Sequence, residues 1–107
     1  MTAVNNVFEQ IKHLDDDGHE YWSSRELASA LGYTDYRNFE KVIANARQAC
    51  QNSSQTVSDH FVEVNEMVKL GSGAEREIKT VLLSRYACYL IVQSADPRSL
   101  SDFMNAK

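Results

Sequence analysis

The 107-residue chain has no excess of positive charge: eleven lysines and arginines stand against fifteen aspartates and glutamates, a net charge of −4. Nucleic-acid affinity rests largely on counterions released by unopposed cations, so this balance argues against nonspecific DNA or RNA binding. No apolar run approaches the ~18 residues that a membrane-spanning helix needs. The N-terminus, MTAVNNVFEQIKHLDDDGHE, has no basic flank before an apolar stretch and so does not read as a secretory signal. There are only two cysteines, Cys50 and Cys88, both inside helical patterns, and they read as buried thiols and not as a disulfide. Together these absences imply a cytoplasmic protein that does not engage a membrane.

The chemistry of catalysis is also missing. His13, His19 and His60 are scattered, with no H-x-x-x-H or C-x-x-C spacing. Asp15, Asp16 and Asp17 lie in a turn without a calcium-loop register and read as a solvated acidic turn. There is no G-x-x-x-x-G-K-[ST] phosphate loop, and GSGAER at 71–76 is a lone glycine-rich tip. No nucleophile can be paired with a base. The expectation is a non-enzymatic protein without metal or cofactor.

What is present is a chain with 43% apolar and 24% charged residues, enough for one globular core. The acidity is local: Glu9, Asp15, Asp16, Asp17 and Glu20 face only Lys12 within residues 1–24, and the remainder is neutral. Val4, Val7, Phe8 and Ile11 recur at helical spacing. Asp17-Gly18 signals a hairpin turn between short strands near 13–15 and 20–22. Ser23 and Glu26 have the spacing of a capping box ahead of a helix carrying Leu27, Ala28, Ala30 and Leu31. Gly32 suits a left-handed helix end.

Thr34 or Asp35 caps a longer helix to about Cys50, whose inner face is Phe39, Val42, Ile43, Ala46, Ala49 and Cys50. The stretch 51–60 reads as a polar loop. Val62, Val64, Val68 and Leu70 suggest a strand that pairs with EIKTVLL as a hairpin over 61–83. Ser84 caps a buried helix, RYACYLIVQSA, with Tyr86 and Tyr89 expected in the core. Asp96-Pro97 ends it.

The pair of helices within 24–50 resembles a helix-turn-helix, with Ala28 and Gly32 at the crossing and Phe39 one residue later than the usual apolar seal. On it, Arg25, Tyr36, Arg37, Lys41 and Asn45 are candidates for binding nucleic acid or a protein partner. Arg37 and Lys41 would reach phosphates, and Asn38 or Asn45 a base edge. Lys69, Arg76 and Lys79 make the 61–83 hairpin a candidate wing, although Glu75 and Glu77 flank Arg76. Two copies could pair through the hairpin's strand edge, or through a tail helix carrying Leu100, Phe103 and Met104.

The motifs YW-S-x-R-E-L, LGY-x-x-Y-R-x-F, DHF and LSRYACYLI, spread over roughly residues 7–98, resemble the N-terminus of the DNA-damage-inducible protein D family. The same region is similar to the BRO-type N-terminal domain of phage and large-DNA-virus regulators and antirepressors. The resemblance implies a compact, non-enzymatic α+β domain over 1–98. It would contain a helix-turn-helix-like pair, antiparallel hairpins and a buried C-terminal helix. It also implies a role in prophage or SOS regulation. In the wider BRO group it implies DNA binding; in the damage-inducible family, action on the RecA recombinase or its filament.

Trp22, Leu27, Leu31, Gly32, Phe39 and Tyr86 read as fold determinants, whereas the charges of Arg25, Arg37 and Arg85 are not needed for a core. The resemblance further implies a second helical region beyond 98. The short tail 99–107 stands there instead, as expected of a naturally short protein, a remnant or a fragment. With few unopposed cations, a protein partner, either a phage repressor or RecA, is set ahead of DNA.

Overall fold

A computed structural model describes residues 7–95 and gives the order α1 (Val7–Gln10), β1 (His13–Leu14), β2 (Glu20–Ser23), α2 (Ser24–Ala30), α3 (Tyr36–Asn52), α4 (Val57–His60), β3 (Phe61–Lys69), β4 (Glu75–Leu83) and α5 (Arg85–Ala95). The four strands form one antiparallel sheet in the order β1-β2-β4-β3. Val4, the Asp96-Pro97 stop and the 99–107 tail with Leu100, Phe103 and Met104 lie outside the described residues. No described helix is long and apolar enough to cross a membrane.

Local chemistry sets each change of direction. Asp15 Oδ1 accepts the amides of Asp17 and His19, both at 2.9 Å, and Gly18 turns the chain at φ +84°. That folds β1 onto β2 with His13 opposite Tyr21. β2 pairs with β4 only at Trp22–Leu83 and Ser23–Leu82 before the chain enters α2. α2 ends in a Schellman motif: Tyr33 N–H donates to the Ala28 carbonyl at 2.9 Å and Gly32 N–H to that of Ser29 at 3.0 Å, with Gly32 at φ +86°. Asp35 then caps α3 by accepting the Arg37 amide at 3.0 Å.

Period two along paired strands gives the sheet two unlike faces. Trp22, Leu83 and Phe61 form one row across three strands and are buried beneath the helices. They join Phe8, Leu27, Phe39, Ile43, Ala46, Ala87, Cys88 and Ile91 in a single core. Trp22 anchors α1: its ring stacks on Phe8 at 4.2 Å and its Nε1–H donates to the Phe8 carbonyl at 2.8 Å. The Arg85 guanidinium lies 5.3 Å from both rings and pairs with Glu20 at 2.9 Å and Glu9 at 3.3 Å. The opposite row, Ser23, Leu82 and Val62, faces outward.

Three expectations change. The stretch 51–60 is not all loop: α3 runs on to Asn52 and Val57–His60 forms one helical turn. Four residues are too few to leave a periodic signal. The capping box is half made. Ser23 Oγ accepts the Glu26 amide at a long 3.5 Å, but the Glu26 carboxylate goes instead to His13 Nε2 at 2.6 Å. Tyr89 is 44% exposed, while Tyr86 packs against the core with its ring 5.0 Å from His60. Helix spacing of three let the two tyrosines share a face, but α5 is buried on the neighbouring side through Cys88 and Ile91. Both cysteines are buried thiols, and burial raises the pKa of each.

Two outcomes follow from this chemistry. Gly32→Ala meets no atom within 4 Å, so it costs only backbone strain, about 1 kcal/mol of urea-unfolding free energy. Gly71→Ala, at a position without positive φ, leaves stability within about 0.5 kcal/mol. The Arg85 hydrogen bond holds the Glu20 carboxyl below its usual range. Stability from this pair is therefore fully present above the ordinary carboxylate range and is lost as pH falls through the lowered folded value. The urea midpoint should drop on acidification below about pH 5, and Glu20→Gln should flatten that drop while lowering the neutral-pH midpoint.

Candidate interaction surface

The helix-turn-helix-like unit is bolted to the hairpin by groups that look, in sequence, like a binding surface. Ser24, fully buried, accepts the Val81 amide at 3.0 Å and lies 2.6 Å from the Tyr36 hydroxyl. Next to it, Arg25 donates from Nε and Nη2 to the Lys79 carbonyl, at 3.1 and 2.7 Å. Its guanidinium sits 3.7 Å from the centre of the Tyr36 ring. Arg25 and Tyr36 thus join α2, α3 and β4, and the arginine's donors point inward to a backbone carbonyl.

Arg37 is 85% exposed but bends back onto the cap of its own helix, with Nη2 3.3 Å from Asp35 Oδ2. That hydrogen bond, with the Arg37 amide, lowers the Asp35 pKa and raises that of Arg37. Lys41 and Asn45 are exposed on the turns that follow. At 100° per residue they lie opposite the buried stripe of Phe39, Ile43, Ala46 and Cys50, so the polar stripe with Gln48 faces fully outward.

The hairpin does not form a cationic wing. Register places Lys69 opposite Glu75, Lys79 opposite Asn65 and Arg76 opposite Val68. Alternation then puts Lys69 and Lys79 on the same face as Glu63, Glu75 and Glu77, and Arg76 on the other face. The eight candidate residues therefore split into an internal clamp, an outward helix stripe and two faces of a hairpin.

One feature went unread in the sequence. Arg47, half-buried, lies in a cleft of about 190 Å³ with Tyr36, Glu40, Glu63 and Lys79. Its Nη2 pairs with Glu63 at 3.0 Å, its guanidinium lies 5.7 Å from the Phe61 ring centre, and its buried Nε has no hydrogen-bond partner. An arginine between Ala46 and Gln48 on an otherwise amphipathic helix gave no signal for this. Asp15, Asp17 and His19 offer ligand atoms within 4.8 Å of one another, all exposed. The backbone bonds to Asp15, His19 first, lower its pKa and account for the cluster as a turn.

The outward sheet face carries exposed apolar side chains. Tyr21 and Leu82 are shared by two shallow hollows, one reaching Val62 and His60, the other Val68, Ile78 and His13. Val62 and Leu70 are largely exposed there, and Met67 is exposed on the hairpin's other face.

No solved structure matches the chain. Over 97 residues it is 52% identical to DNA damage-inducible protein D of Escherichia coli (strain K12), an alignment covering 91% of this chain and 35% of that protein. The chain thus spans about a third of that relative's length. The sequence model of the BRO family, N-terminal domain, matches residues 10–106. On that match, the chain belongs to the BRO family through its N-terminal domain.

Proposed function

We propose that the chain is a non-catalytic regulatory domain, tied to prophage or SOS control, that acts by binding a protein partner: a phage repressor or the RecA recombinase. The observation that carries this is the internal use of the positive groups. Arg25 serves Lys79 and Tyr36, Arg37 serves Asp35, Arg47 serves Glu63, and Arg85 serves Glu20 and Glu9. Among the described residues Lys41, Lys69, Arg76 and Lys79 have no ion-pair partner within 4 Å, and only Lys69 and Lys79 share a hairpin face, which Glu63, Glu75 and Glu77 share with them. Salt-dependent DNA affinity needs several cations arrayed together. A protein interface instead needs an apolar centre with a polar rim, which the Tyr21–Leu82–Val62 face supplies. The damage-inducible name of the Escherichia coli relative agrees with this setting.

The second reading is DNA binding through residues 24–50. It is favoured by the outward Arg37, Lys41 and Asn45 stripe on a helix held by a helix-turn-helix-like corner. At most two cations there reach phosphate, so the salt slope would be about −2.

The readings separate by experiment. The purified chain should bind RecA, free or assembled on single-stranded DNA, or a phage repressor in surface plasmon resonance, and Val62→Asp should weaken that binding about tenfold or more with the circular dichroism unchanged. Duplex and single-stranded DNA should give no complex at moderate salt. A salt-sensitive DNA complex lost on Arg37→Ala and Lys41→Ala, with no binding to either protein, would establish the second reading instead.

A further inference from the structure

The outer edge of β3 is built for pairing. β3 is nine residues long, ends the sheet, and keeps unbroken one-to-one register with β4, without a bulge or proline. Natural edges are usually shortened, bulged or covered, and no described strand pairs with this one.

Which backbone groups face outward follows from the hairpin's two ends. Leu70 N–H donates to the Ala74 carbonyl and Ser84 N–H to that of His60. Hydrogen-bonded pairs recur at every second residue of an antiparallel ladder. Val62, Val64, Glu66 and Val68 therefore spend their backbone groups on β4. Glu63, Asn65, Met67 and Lys69 turn theirs to the free edge, while the Phe61 amide is already given to the Val57 carbonyl.

We propose that two copies of this chain pair antiparallel through their β3 edges about a two-fold axis at Glu66, making one continuous eight-stranded sheet. An axis perpendicular to the sheet keeps each face on its own side, so it must pass through a residue, and four registers compete. An axis at Met67 uses only free groups but pairs fewer of them and leaves Glu63 unmatched. An axis at Asn65 pairs Phe61 with Lys69, yet the Phe61 amide is taken. An axis at Val64 sets Phe61 against Met67 and meets the same obstacle. The axis at Glu66 uses only free groups: Glu63 with the partner's Lys69 and Asn65 with the partner's Met67, each occurring twice.

The side chains agree with that register. Glu63 meets Lys69 of the partner subunit at both ends, an opposite-charge pair made twice by symmetry. On the outward face Val64 meets the partner's Val68 and Val62 the partner's Leu70, so the exposed apolar row of one copy continues into the other. Two elements oppose it: Glu63 already pairs with Arg47 of its own chain at 3.0 Å, so the partner's Lys69 has to share that carboxylate, and Glu66 meets itself on the axis. In the single chain its carboxylate already accepts the Thr80 hydroxyl of β4, which draws it back from the edge. Edge pairing leaves the outward sheet face open and doubles it.

Sedimentation velocity of the whole chain over a rising concentration series tests this. The expected result is a reversible monomer–dimer equilibrium. Asn65→Pro removes an edge donor that β4 does not use, so it should give a folded monomer. Lys69→Glu turns both charge pairs repulsive and should raise the dissociation constant about tenfold. Adding Glu63→Lys to it restores opposite signs across the seam while giving up the Arg47 pair, so it should recover part of the lost affinity, and Glu66→Gln should tighten the dimer severalfold. If Asn65→Pro fails to fold, the charge-swap series at the exposed strand end decides alone. A chain monomeric at every concentration, or a dimer indifferent to Lys69→Glu and its swap, overturns the proposal.

Discussion

The fold turns on one buried hydroxyl. β2 can pair with β4 only until it becomes helix α2, and at that point the Val81 amide of β4 loses its strand partner. Ser24 Oγ takes that amide at 3.0 Å while meeting the Tyr36 hydroxyl at 2.6 Å. A buried donor left unmade costs about 1–3 kcal/mol, so this serine lets a strand end in the middle of a sheet without an orphan. It also fixes where α2 and α3 stand over the hairpin. The Arg25 clamp, the row of Trp22, Leu83 and Phe61, and the outward stripe of α3 all take their positions from that junction.

Because the junction sits at the helix pair, the residues that resemble a DNA-reading surface are partly recruited to hold it. Arg25 cannot both donate two bonds to the Lys79 carbonyl and reach a phosphate. Arg37 is free to swing, yet its nearest anion is the cap of its own helix. The hairpin cations alternate across two faces beside three glutamates. What remains continuous is apolar: the outward sheet face. Few unopposed cations and an apolar sheet face among the described residues support the proposal of a protein partner over a polyanion.

Much of this was legible from local chemistry. Gly32, Asp35, Ser84, the Asp17-Gly18 turn and the alternation in β3 each act within a few residues, so the helix pair, the ribbon, the hairpin and the last helix could be placed from the chain alone. The single turn at Val57–His60 could not, being shorter than any period. Site geometry was the least readable part. The Lys79 carbonyl that holds Arg25 lies 54 residues away, Glu26 forsakes its capping role for His13, and Arg47 meets Glu63 16 residues along the chain. A basic residue in a motif looks the same in sequence whether its partner is a ligand or a distant carbonyl.

Arg25 works for the fold. A double-mutant cycle on unfolding free energy, with Arg25→Ala and Tyr36→Leu singly and together, measures this most directly. The expected result is a favourable coupling of about 1 kcal/mol, in the range of a partly buried cation over an aromatic ring. Additive effects, with Arg25→Ala leaving stability untouched, would contradict it and return Arg25 to the pool of groups free to bind a ligand.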